Sequence, residues 1–167
     1  KVTVGVGNVG PNGVMITGDD KGSVGEELSL SMKASDDNDD VLTFLVDWGD
    51  GSNEEIGPVG SDTWADAAHT WNAYGLYTVT VTAKDSDGKE SDSETFTVSI
   101  DAVAISGDDI SGVLVDENSD GDYEGFVSTA TGVKTSAETQ DDGKTVFDAD
   151  GDDKHDHIYD PDTKTVN

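Results

Sequence analysis

A chain of 167 residues with 33% hydrophobic content and no cysteine holds one ordinary domain or two small ones, without disulfides or thiolate metal sites. Its 37 acidic residues against nine lysines and no arginine give a net charge of −28. That excludes nucleic acid and anionic membrane surfaces as partners, because no cationic patch exists to displace counterions from phosphate, and it calls for bound cations or a high-salt habitat to offset self-repulsion.

Residues 1–10, KVTVGVGNVG, alternate Val2, Val4 and Val6 with small or polar positions and predict an N-terminal strand or linker with no obvious hairpin partner. The segment shows no signal-peptide pattern, as expected of a mature or excised chain, and no apolar run nears the roughly 20 residues that span a bilayer. Its glycines lack the fingerprint spacing and following helix of a phosphate loop. Period-two alternation then recurs in Leu28-Leu30-Met32, Leu42-Phe44-Val46, Tyr77-Val79-Val81 and Phe96-Val98-Ile100, the pattern of half-buried strands. Asn12-Gly13, Asp50-Gly51 and Asp87-Gly88 supply turn chemistry between them. No stretch keeps a 3.6-residue apolar period over three turns, so almost no helix is expected. The prediction is an all-β chain, with a β-sandwich over 11–101, a composition shift near Asp101 to Asp109, and a small acidic β-hairpin module over 107–167.

Three motifs within residues 16–100 carry a family resemblance. VGEELSLSMKASDDNDDVLTFLVDWGDGS contains Trp48-Gly49-Asp50-Gly51-Ser52; HTWNAYGLYTVTVTAKDSDG contains His69, Trp71, Gly75 and Tyr77; KESDSETFTVSI supplies a last strand. Together they resemble the PKD family, the immunoglobulin-like domain first described in polycystin, and the resemblance implies an immunoglobulin-like sandwich. The residues agree with it. Trp48 closes a strand and can bury its ring, while Asp50 sits in a tight turn where a side chain normally accepts local backbone N–H bonds, and His69 is expected to be a buried, hydrogen-bonded core histidine. Ser35-Asp36-Asp37-Asn38-Asp39-Asp40 stands where the family often reads S-D-P-D-G-D, with Asp37 and Asp39 replacing Pro and Gly. Some members bind calcium there, which implies oxygen ligands at Asp36, Asn38 and Asp40; a solvated acidic turn has the same composition, and both readings stay open.

The acidic module repeats. VLVDENSDGDYEGFV is followed 32 residues later by TVFDADGDDKHDHIY, which places Asp116, Asn118, Asp120, Asp122 and Glu124 against Asp148, Asp150, Asp152, Lys154 and Asp156. Oxygen-bearing side chains at alternate positions suit Ca2+, and Lys154 occupies the seventh position, where EF-hand-like loops coordinate through the backbone carbonyl. Position twelve carries Val127 and Tyr159 rather than a bidentate Glu, so a helix-loop-helix is excluded. Short apolar segments, Val113-Leu114-Val115 with Phe126-Val127 and Val146-Phe147 with Ile158-Tyr159, bracket each loop, which therefore caps a β-hairpin and resembles the D-x-D/N-x-D-G calcium hairpins of FG-GAP and similar surface repeats. Clustered carboxylates without a cation repel, which gives the module a reason to fold only when loaded. His155 and His157 lack the partners of a transition-metal site and read as surface residues.

No nucleophile with a base, zinc helix or carboxylate pair on an aromatic sugar platform is present, so no enzyme is expected. Three extracellular roles remain. The first is a calcium-stabilised structural or adhesive module of a prokaryotic cell-surface protein. The second is a filament or surface-layer subunit assembled with neighbouring copies of itself through the Val2-Val4-Val6 strand. The third is an accessory module of a secreted protease or polysaccharide hydrolase, binding polysaccharide or extracellular matrix through Trp64, Trp71 and Tyr74.

Overall fold

In the computed structural model, which describes residues 7–167, fifteen β-strands and no helix occur among the described residues. They are β1 (Asn12–Gly18), β2 (Lys21–Gly22), β3 (Glu27–Ser35), β4 (Leu42–Asp47), β5 (Asn53–Val59), β6 (Ala65–Thr70), β7 (Gly75–Asp85), β8 (Glu94–Ile100), β9 (Ala102–Ser106), β10 (Ser111–Val115), β11 (Gly125–Ser128), β12 (Lys134–Thr139), β13 (Thr145–Phe147), β14 (His157–Asp160) and β15 (Thr165–Val166). The expected strand through Val2, Val4 and Val6 lies outside the described residues. The described chain divides into two compact units. One takes residues up to Asp20 with Glu27–Thr70 and Tyr77–Val98; the other takes Lys21–Glu26, Trp71–Leu76 and Ser99–Asn167.

Two sheets, ordered β1-β3-β6 and β2-β8-β7-β4-β5, make the immunoglobulin-like part. The period-two residues are the buried ones: Leu28, Leu30, Met32 and Ala34 on β3, Leu42, Phe44 and Val46 on β4, and Val79, Val81 and Ala83 on β7. Each large apolar side chain removed from water in this way contributes about 1.5–3 kcal/mol. Trp48, just past β4, is fully buried and stacks on His69 of β6 with ring centroids 4.6 Å apart and planes 6° from parallel. The Asn12-Gly13 pair does not join two strands as a hairpin turn. It opens β1, where Gly13 takes φ +63° and the pairing with β3 slips between Asn12 and Met15, so the turn chemistry serves a bulge instead.

In the other unit β9 through β15 follow one another as a seven-stranded antiparallel meander. The first and last strands come back beside each other, with the side chain of Val166 against Gly107. Ile105, Leu114, Phe126, Phe147 and Tyr159 fill the core, Phe126 and Phe147 with centroids 4.7 Å apart. The two repeated acidic segments connect β10 to β11 and β13 to β14, each spanning a hairpin.

Candidate cation sites

Asp148 follows the last residue of β13 and is almost completely buried, at 1% exposure. Its Oδ1 accepts the backbone N–H groups of Asp150 and Gly151, and its Oδ2 that of Asp153, at 2.7–3.2 Å. Burial works against its charge, but the backbone N–H groups of Gly151, Asp153, Asp150 and Asp152 outweigh it and hold the carboxyl below its ordinary value. The carboxylates of Asp148, Asp150, Asp152 and Asp156 converge, each offering an oxygen within 4.8 Å of the others. That limit is about twice a calcium–oxygen bond of ~2.4 Å, the separation of two ligands on opposite sides of one ion, so small side-chain adjustments would let the four share a cation. Lys154 turns its ammonium onto Asp152 at 2.6 Å. Its side chain is 77% exposed, so a divalent cation displaces it at little cost.

The preceding hairpin builds the same turn from a thinner set. Asp116 is buried and accepts Asn118, Asp120 and Gly121 N–H groups, and the converging carboxylates are Asp116, Asp120 and Glu124. Of the other two expected ligands, Asn118 accepts the Asp120 amide through Oδ1, and Asp122 is exposed and outside the trio. Ser119 and Val24 both donate to the Asp101 carboxylate, and the Asp116 amide donates to the Asp101 carbonyl.

The third cluster differs from the reading of residues 35–40. Asp36 and Asp40 converge with Asp85, which the sequence did not single out, while Asn38 turns its Oδ1 to the Val9 amide at 2.7 Å. Register explains Asp85: Leu42 at the start of β4 pairs with Asp85 at the end of β7, which sets that carboxylate beside the 36–40 turn. The DSDG sequence at 85–88 signalled only a turn. Asp36 is 4% exposed; its Oδ1 accepts the Asn38 and Asp40 amides, but its Oδ2 is buried with no hydrogen-bond partner. Asn8 donates its amide to Asp85 at 2.8 Å and leaves its own Oδ1 buried and unpartnered. Orphaned buried oxygens are costly unless a cation or donor meets them. The all-oxygen donor set fits calcium.

Asp50, His69 and Ser52 also meet. Asp50 Oδ2 lies 2.8 Å from His69 Nε2, its Oδ1 accepts the Ser52 amide and hydroxyl, and Ser52 Oγ approaches the same Nε2 at 3.5 Å. Since both partners address one ring nitrogen, the imidazole does not relay a proton from serine to aspartate. His69 is half-buried rather than buried. Among the three aromatics expected to meet a matrix, Trp71 is fully buried and serves the core; Trp64 is exposed beneath the ammonium of Lys33, and Tyr74 is half-buried.

Residues 8–100 match the family model described as "PKD domain". Over 84 residues, half of this chain, the sequence is 36% identical to "Microbial collagenase" from Vibrio alginolyticus, of whose length it spans 9%. Among solved structures, the "PKD domain of M14-like peptidase from Thermoplasmatales archaeon SCGC AB-540-F20" is similar with a TM-score of 0.54 at 36% identity, covering 56% of this chain and 98% of that one.

Proposed function

The chain belongs to the PKD domain family through residues 8–100, and from that premise we propose that it is a non-catalytic, calcium-stabilised extracellular module that accompanies a secreted peptidase as spacer or attachment domain. Of the three roles left open by the sequence, the relatives favour this one, since one is a collagenase and the other a domain of a peptidase. The filament reading rested on Val2, Val4 and Val6, which lie outside the described residues. The observation that carries calcium is the buried Asp36 Oδ2, without a hydrogen-bond partner beside Asp40 and Asp85. The inward bonding of Asp50, Ser52 and His69 supports the absence of catalysis.

Calcium titration calorimetry on the full chain tests the reading. Binding at all three clusters is expected, with Asp36→Asn plus Asp85→Asn removing one equivalent and leaving the rest; no heat up to millimolar calcium sinks the proposal. Attachment is tested separately by co-sedimentation with insoluble collagen. Trp64→Ala should release the chain, and equal retention of the variant would show that Trp64 is not the contact.

A further inference from the structure

β1 is an edge strand, and its pairing with β3 slips by one residue between Asn12 and Met15. Carried on from the Asn12–Ser35 pair without the slip, the register would set Met15 opposite the buried Met32. The bulge instead sets Met15 opposite Lys33 and Ile16 opposite Met32, and so turns the Met15 thioether to the outer face. Met15 is 53% exposed and Met32 0%. These are the two methionines of a chain without cysteine, so Met15 carries the one sulfur that solvent reaches.

Met15 also ends a row that runs across the sheet. Cross-strand partners share a face with Cβ atoms about 5 Å apart, which places Lys33 beside it. Lys33 holds its ammonium 5.4 Å from the centre of the Trp64 ring, and Trp64 precedes Ala65, the β6 partner of Met32. Two bonded pairs border the row: Ser31 donates to Asp66 at 2.6 Å, and Ser35 to Asp62 at 2.7 Å. Among the described residues no carboxylate forms an ion pair with Lys33, so its ammonium is free to change partner.

We propose that Met15 is an oxidation site through which peroxide weakens attachment at Trp64; the regulatory half rests on the reading of Trp64 as the attachment contact. The thioether sulfur gives an electron pair to one oxygen of hydrogen peroxide, the O–O bond breaks, and methionine sulfoxide and water result. A methionine sulfoxide reductase reverses the step, two thiols becoming a disulfide while the oxygen leaves as water. A thioether is a weak hydrogen-bond acceptor, whereas a sulfoxide oxygen is a strong one. Lys33 therefore leaves the Trp64 ring and donates to Met15, because a charge-assisted hydrogen bond outweighs an exposed cation–π contact. The row then carries a hydrated sulfoxide–ammonium pair in place of apolar stems, and a partner must strip that water before it meets Trp64.

The test treats the full chain with dilute hydrogen peroxide and maps its peptides by mass spectrometry. One added oxygen on Met15 and none on Met32 is expected in the folded chain, with both modified in urea. Acrylamide quenching of indole fluorescence then follows Trp64, with Trp64→Ala identifying its share of the signal. Oxidation should raise quenching in the parent and leave it unchanged in Met15→Leu and in Lys33→Gln. Co-sedimentation with insoluble collagen should fall severalfold on oxidation, return after treatment with methionine sulfoxide reductase and dithiothreitol, and stay constant in peroxide-treated Met15→Leu. Equal oxidation of Met32 in the folded chain, or oxidised Met15 with Trp64 quenching and collagen retention unchanged, overturns the proposal. If the reduced parent does not sediment with collagen, the attachment reading and the switch fall together, and the mapping and quenching decide the oxidation site by themselves.

Discussion

At the scale of single residues the Trp48–His69–Asp50 group shows how a signature sequence becomes a bonded cluster. Burial raises the cost of charge on Asp50, but the Ser52 hydroxyl, the His69 ring and the Ser52 amide together bring its pKa from 3.8 down to about 2. A carboxyl whose folded value lies below its unfolded one stabilises the fold above about pH 4, and that contribution disappears as the pH falls through about 2. Asp50→Asn should therefore cost about 1 kcal/mol at pH 7, or 2–4 °C in Tm, with the difference from the parent vanishing near pH 2. Melting curves at pH 7, 4 and 2 check it, and a constant gap across that range would rule out the charge as the cause. Trp48 to Ser52 were readable because they are neighbours in sequence. Asp85 and Asn8 were not, since Asp85 reaches the 36–40 turn only through the pairing of β7 with β4 and Asn8 through its bond to Asp85.

At the scale of elements the 32-residue repeat fixes strand positions but not strand faces. β9 and β12 begin at Ala102 and Lys134, β10 and β13 end at Val115 and Phe147, and β11 and β14 begin at Gly125 and His157, each pair one repeat apart. The core nevertheless takes Leu114 and Phe126 from the first copy and Phe147 and Tyr159 from the second, so the inward face has moved by one position. A strand has period two, and a slip of one residue exchanges its faces, which pattern alone could not show when both faces offered apolar residues. Ile158, the counterpart of Phe126, consequently stands 43% exposed. Gly112 marks the inward face of β10. A Cβ there would lie 2.1 Å from Phe126 Cε2 and 2.6 Å from the Val127 carbonyl. The backbone oxygen cannot step aside, so Gly112→Ala should destabilise the meander by about 1–3 kcal/mol. Adding Phe126→Leu should recover part of the lost Tm by calorimetry; no loss in the single variant would mean that β10 does not pack on Phe126.

At the scale of the whole molecule, a net charge of −28 must be offset, and specific cations and bulk salt make different predictions. Composition alone could not separate them. The structure gathers eleven carboxyl or amide side chains that matter into three tight clusters, counting Asn8 with the ten converging carboxylates. Screening depends only on ionic strength, whereas site binding stabilises in proportion to the logarithm of free ion over its dissociation constant. About 1 mM calcium chloride and ~3 mM sodium chloride have the same ionic strength, so equal melting temperatures in the two would reveal screening. The expected result is a Tm several degrees higher in calcium, reversed by chelator, because an ion at 100 times its dissociation constant adds about 2.7 kcal/mol per site. The gain should fall mainly on the meander, which carries two of the three clusters around a small core of five buried side chains. Calorimetry should then show one transition moving more than the other as calcium is removed. If molar sodium chloride stabilises the chain as well as calcium does, the acidity answers a salty habitat and the clusters are solvated turns.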